Sequence, residues 1–194
     1  WPKLQDPAYL KIPSYLKDSP EVREEMSRFY GDSSLMDSEV GRVLACIEEN
    51  GLKDNTLIIF TSDHGIAMPF AKGTLYDPGI KIPLIMRWPE KIDKNIRSNF
   101  LSSNIDVFPT LLDALGLEES IPSGIDGRSL WKHIINGESI EREEIFSEQS
   151  WHDFYEPIRS IRTKQYKLIR NFHPGTGLQV AGDGRFADRI GDLA

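Results

Sequence analysis

The 194-residue chain is long enough for one large domain or one and a half ordinary ones, and with 39% hydrophobic and 27% charged residues it has the composition of a folded globular protein rather than a disordered segment. Its formal net charge of -7 disfavours a non-specific nucleic-acid binder, because neutralising phosphates needs a basic surface, but leaves room for a local basic pocket. No apolar run approaches the roughly 20 residues that span a bilayer, and the single cysteine, Cys46, allows no disulfide within the chain.

Residues 1–18 are punctuated by Pro2, Pro7 and Pro13 and read as an extended segment wrapped over the surface. The opening WPKLQDPAYLKIP has neither the basic start nor the apolar core of a signal peptide, and it carries no initiator Met. At the other end DRIGDLA stops without a closing element, so the expectation is a fragment of a longer protein.

Ser19-Pro20-Glu21 then supplies a helix cap, a proline suited to the first turn and an acid near the positive end of the helix dipole. Val22, Met26, Phe29, Tyr30, Met36, Val40, Val43, Leu44 and Ile47 recur at helical spacing, with Gly51 as the stop. Gly31 leaves open one long helix or two collinear ones. Cys46 falls inside this pattern and is expected to be a small buried apolar residue.

Thr56–Phe60 is a continuous apolar, β-rich run, which predicts a central strand buried on both faces of a parallel sheet. Ile82–Met86 is a second strand, its Pro83 pointing to an edge or a strand start. Residues 105–116 form a helix ending at Gly116. Helix, buried strand, loop, strand and helix make the rhythm of a doubly wound α/β fold. From about residue 141, Glu144–Glu148 and Ile158–Ile169 alternate apolar with polar residues, as in an antiparallel sheet with one wet face.

The chemistry gathers where the first strand ends. Asp63 and His64 stand just past its apolar run, and Gly65 permits a sharp turn. Ligands of open α/β sheets bind outside the carboxyl ends of the strands. A carboxylate suits hard cations such as Ca²⁺ or Mg²⁺, and an adjacent imidazole suits Zn²⁺ or Mn²⁺ equally well. The plainer alternative is an Asx-type turn with a satisfied histidine. Lys72 lies in a loop with Pro69, Gly73 and Gly79. If that loop is short, its ammonium returns to the same edge and can hold a tetrahedral anion; otherwise it faces solvent. Asp106, before Val107-Phe108-Pro109-Thr110, most simply caps its helix or pairs locally. Arg87-Trp88-Pro89 closes the second strand, Arg159 braces a strand pair, and Trp151 is a ring that could stack on a sugar.

SDHG at 62–65 and AKGTLYDPGIKIPLIMRWP at 71–89, preceded by GRVLACIEENGLKDNTLIIF, closely resemble the sulfatase family of the alkaline-phosphatase superfamily, most of all its sulfamidase and arylsulfatase-like branches. The resemblance continues through SSNIDVFPTLLDALG, IDGRSL and IRSIRTKQYKLIRN, from about residue 20 to 171. It implies an alkaline-phosphatase-like doubly wound α/β sheet, present in part over residues 1–140, and the start of a small antiparallel β subdomain over 141–194. It also implies a divalent metal ion, usually Ca²⁺. Asp63 matches a metal-ligand Asp, His64 the ligand position beside it, and Lys72 the basic residue that contacts the sulfate group. His152, in Gln149-Ser150-Trp151-His152-Asp153, matches more loosely a substrate-facing histidine. A sulfated small molecule or glycan is the implied partner, and a periplasm, a lysosome or the cell exterior the implied location.

The departure from the family pattern is equally plain. Sulfatases carry a Cys/Ser-x-Pro-x-Arg motif whose first residue becomes formylglycine, with two further metal-ligand acids nearby. Cys46 is followed by Ile47-Glu48-Glu49-Asn50 and has neither the proline nor the arginine. The resemblance therefore implies the C-terminal portion of a sulfatase acting on a sulfate ester or sulfamate, inactive without the N-terminal half of the same protein. Two rivals remain: a metal-dependent phospho- or phosphonate hydrolase of the same superfamily, and a non-catalytic binding module.

Overall fold

The computed structural model describes residues 4–152 and 155–176, which fall into two compact units that meet between Ile85 and Met86. The first unit is built on helix α1, Pro20–Glu49. Ser19 caps it, its side chain accepting from the Val22 amide at 3.4 Å, and Pro20 occupies the first turn as expected. Gly31 does not interrupt it: the helix is continuous for 30 residues. It ends in a left-handed Gly51 (φ 70°), with the Gly51 amide on the Glu48 carbonyl and the Leu52 amide on that of Ile47.

The segment before α1 is tied down by one side chain. Arg23 forms a two-pronged pair with Asp18 (2.6 and 2.7 Å) and donates to the carbonyl oxygens of Pro7, Ala8 and Leu10. That hydrogen-bonded guanidinium holds the Asp18 carboxyl below its usual range. Leu10 is thereby set against Val22, Met26 and Met68 in a buried cluster, with Ile12, Leu16, Tyr30 and Ile66 packed around it. The N-terminal half of α1 is covered in this way. Farther along, Leu35, Met36 and Val43 stay exposed, and so does Cys46, contrary to the burial its place in the pattern suggested. The apolar stripe is real, but among the described residues only its first turns have a partner.

Strand β1, Ile58–Thr61, lies beside β2, Leu84–Arg87, in a two-stranded sheet, and β2 carries the chain from the first unit into the second. β1 is half-buried rather than buried on both faces, and among the described residues it has one neighbouring strand. Between the two strands the chain closes on itself. The Gly65 amide donates to the Gly79 carbonyl at 2.8 Å, and Gly79 lies within a short helix α2, Asp77–Ile80. Neither glycine has room for a side chain: a Cβ on Gly65 would lie 1.7 Å from the Pro78 oxygen, and one on Gly79 2.3 Å from that of Ala71.

The second unit holds α3, Val107–Ala114, α4, Trp131–Asn136, and an antiparallel sheet of β3, Glu144–Trp151, β4, Tyr155–Thr163, and β5, Lys167–Asn171, in that order. Asp106 is fully buried ahead of α3. It accepts from the Ser103 and Arg128 amides at 2.8 and 2.9 Å, and Arg142 grips both of its oxygens at 2.5 and 2.8 Å. The side chain does not cap α3 as expected: it closes a capping box with Ser103 on the short turn before the helix, and its charged partner lies 36 residues away. Thr110 extends the same junction by accepting from the Leu130 amide at 2.9 Å. In the sheet, Arg159 braces the strand pair as expected, donating to the Gln149 carbonyl at 2.9 Å and pairing with Glu148 at 3.1 Å. Among the described residues no helix is long and apolar enough to cross a membrane.

Two substitutions test these junctions. Asp106→Ala leaves the Arg142 charge buried without a partner and should cost about 3–5 kcal/mol in a denaturant melt. Gly65→Ala forces the backbone apart at the loop closure and should cost about 1–3 kcal/mol, lowering the melting temperature of the first unit.

Candidate active site

β1 delivers Ser62, Asp63 and His64 at its carboxyl end, and the backbone then turns through Gly65. The turn is pinned by Ser62, whose hydroxyl donates to the His64 carbonyl at 2.8 Å. His64 Nδ1 lies 2.7 Å from the Gly65 carbonyl oxygen. A carbonyl can only accept, so Nδ1 carries the proton and, in the neutral ring, Nε2 keeps its lone pair. That Nε2 is 3.6 Å from Asp63 Oδ1.

This is the arrangement that orients a metal-binding histidine: one nitrogen held by a carbonyl, the other presented outward. Metal–oxygen and metal–nitrogen bonds of about 2.0–2.4 Å can span the Asp63–His64 separation at an ordinary ligand–metal–ligand angle. The Asp63 carboxylate is 86% exposed and the imidazole 39%. Both donors therefore face outward. Among the described residues no third acid, histidine or cysteine joins them.

Lys72 reaches this neighbourhood through the backbone. Its amide donates to the Ile66 carbonyl at 3.0 Å, two residues past His64, which makes the loop short in space. Phe70 (φ 60°) and Gly73 (φ 77°) adopt left-handed conformations on either side of Ala71-Lys72 and turn the chain there. A left-handed phenylalanine costs about 1–2 kcal/mol and persists only where its surroundings impose it. They do: Met68, Ala71, Thr74 and Leu75 are buried, and the Thr74 hydroxyl donates to the Ala71 carbonyl at 2.8 Å. Lys72 itself is half-buried between these anchors.

The fold thus brings Asp63, His64 and Lys72 onto one closed loop of the first unit. His152 belongs to the second unit, exposed at the turn between β3 and β4, where Trp151 pairs with Tyr155. Asp153, its neighbour in the motif, lies outside the described residues. Sequence reasoning passed over Ser62 and Thr74. Both act through backbone carbonyls, and a lone Ser or Thr in a loop carries no signal for that.

Comparison with known proteins gives the family. The family model for sulfatases matches residues 6–117, and that for the C-terminal part of N-sulphoglucosamine sulphohydrolase matches residues 63–178. An ulvan-active sulfatase of Formosa agariphila is 34% identical over 94% of this chain and 31% of its own length. Human N-sulphoglucosamine sulphohydrolase is 30% identical over 89% of the chain and 36% of its own. The chain thus spans about a third of the length of these curated relatives. A solved chain from Bacteroides fragilis assigned as a sulfatase superimposes with a TM-score of 0.71 at 27% identity, covering 82% of this chain and 36% of that one. Two family models that overlap on the Asp63–Lys72 loop, and relatives that follow the chain through both of its units, make it a member of the sulfatase family with that family's alkaline-phosphatase-like fold.

Proposed function

We propose that this chain is the C-terminal portion of an enzyme that hydrolyses a sulfate ester or sulfamate on a sugar. The observation that carries the reading is the closed loop after β1, which gathers a carboxylate, an outward-facing imidazole nitrogen and a lysine. The names of two relatives, one active on ulvan and one on N-sulphoglucosamine, favour a carbohydrate over an aryl compound.

Asp63 Oδ1 and His64 Nε2 would hold a divalent cation, calcium by the family resemblance, with the remaining ligands coming from outside these residues. When bound, such an ion draws charge from the sulfate oxygens and favours an ionised nucleophile. The Gly65 carbonyl keeps the His64 ring in the tautomer that can bind it. Lys72 would neutralise the sulfate as a point charge carried on the packed loop. His152 would give a proton to the leaving oxygen or nitrogen as its bond to sulfur breaks. The nucleophile, a formylglycine, would come from outside these 194 residues, because no Cys/Ser-x-Pro-x-Arg motif occurs among them. A periplasm, a lysosome or the cell exterior is the proposed setting.

The test is sulfate release from sulfated sugars by the intact protein, with phosphate and phosphonate esters in parallel. Faster cleavage of the phosphorus compounds would replace this reading with a phosphohydrolase. Sugar binding without any hydrolysis would replace it with a binding module. Lys72→Ala should lower kcat for sulfate release by about 10²–10³, as expected for losing one charge-stabilising donor. Asp63→Ala should cost at least as much in kcat/KM and weaken calcium binding measured by titration calorimetry. Calcium affinity unchanged in Asp63→Ala would remove that residue from the metal site.

A further inference from the structure

We propose that the antiparallel sheet carries a sugar subsite, a pocket for one pyranose ring of the glycan, formed by Tyr155, Pro157, Arg159, Phe172 and His173. The inference rests on the carbohydrate reading proposed above and names a place on the second unit where a sugar ring is held.

The pocket follows from strand geometry. Tyr155, Pro157 and Arg159 alternate along β4 and so share one face of the sheet. The Phe172 amide donates to the Pro157 carbonyl at 2.9 Å, which extends the β4–β5 ladder past Asn171 and sets Phe172 across from Pro157. The resulting concavity measures about 330 Å³, near the lower end for small-molecule sites, so it suits one ring rather than a chain.

Its lining has the two characters a pyranose needs. Tyr155 is 58% and Phe172 51% exposed, a large apolar area for two aromatic side chains. Tyr155 is also the middle of a run of tilted rings, 6.4 Å from Trp151 on one side and 6.4 Å from His173 on the other. Such faces, with Pro157 beside them, match the C–H face of a sugar, while the phenol, imidazole and guanidinium groups address its hydroxyls or an acidic substituent.

The cationic groups are held rather than loose. Arg159 is fixed by Glu148, by the carbonyls of Gln149 and Ile158 and by the Ser150 hydroxyl, so its fork is pre-organised. The Arg170 guanidinium lies 4.6 Å above the Phe172 ring and adds positive charge to the same edge. A largely apolar partner would not need charges immobilised around so small a cavity. β3 and β4, the strands of this hairpin, are also the two that flank the His152 turn.

The experiment uses the intact protein and a panel of unsulfated hexosamine and uronic-acid disaccharides, which offer no sulfate to the Asp63 loop. Calorimetry should detect binding that weakens about tenfold in Tyr155→Ala and in Phe172→Ala, is largely kept in Tyr155→Phe, and is unaffected by Lys72→Ala. Both side chains are more than half exposed, so neither variant should disturb folding. If no disaccharide binds, or binding ignores these variants because another segment of the protein fills the pocket, the subsite is overturned. Aryl sulfate cleavage with that outcome would leave the sulfatase reading standing. Disaccharide binding through Tyr155 without any sulfate release would leave the subsite standing and sink the hydrolase.

Discussion

The Gly65 amide meets the Gly79 carbonyl where neither residue has room for a side chain, Gly65 lying against the Pro78 backbone and Gly79 against those of Ala71 and Thr74, and the arrangement of the candidate site depends on that closure. It shuts a loop that would otherwise stand away from the sheet. Once it is shut, the residues leaving β1 and the lysine near the far side of the loop belong to one small structure. Met68 and Ile66 then anchor this structure in the cluster formed by α1 and the segment that Arg23 straps down. The strain of a left-handed Phe70 is tolerated because burial on either side leaves the chain no easier path. Rigidity of this kind is what a site needs if a lysine is to meet an anion without rearranging at the moment of reaction.

The second unit is organised around a different device, one buried carboxylate whose donors come from three places in the chain. Asp106 accepts from the Ser103 amide just before it, from the Arg128 amide and from both arms of Arg142. A buried ion pair is weak evidence for net stability, because two charges leave water to form it. Its effect here is geometric. It joins the start of α3, the Ile125–Leu130 segment and the approach to β3, and so determines how the antiparallel sheet is entered. Gly127 lets that segment pass where a Cβ would lie 2.1 Å from the Ile105 oxygen, which gives the glycine of IDGRSL a physical reason.

Surface that remains uncovered is informative in two distinct ways. The second half of α1 exposes Leu35, Met36 and Val43, and β1 has one neighbouring strand among the described residues, in a chain that spans about a third of its relatives' length. On the sheet, by contrast, the exposed rings enclose a volume and are bordered by fixed cations. A flat apolar stripe calls for packing, whereas a bordered concavity suits a ligand.

The α1 boundaries, both strands of the first sheet, the helix after Asp106 and the antiparallel pattern were legible in the sequence, because caps, glycine stops and hydrophobic period are local properties. So was the candidate constellation of Asp63, His64 and Lys72, through the linked motifs in family order. Burial was not legible to the same degree. The pattern that suggested a buried Cys46 and a β1 covered on both faces states only which side of an element is apolar, not whether anything lies against it. Long-range partners were equally silent. Arg142 on Asp106, the Gly65–Gly79 closure and the ring of Phe172 opposite Pro157 each join residues far apart in the chain, and no local spacing encodes them. The sequence by itself determined the elements and the chemical groups available to a site. Tertiary structure alone decided which of those groups share a loop, which tautomer His64 takes and where a pocket opens, because each depends on a contact that exists only once distant segments have packed.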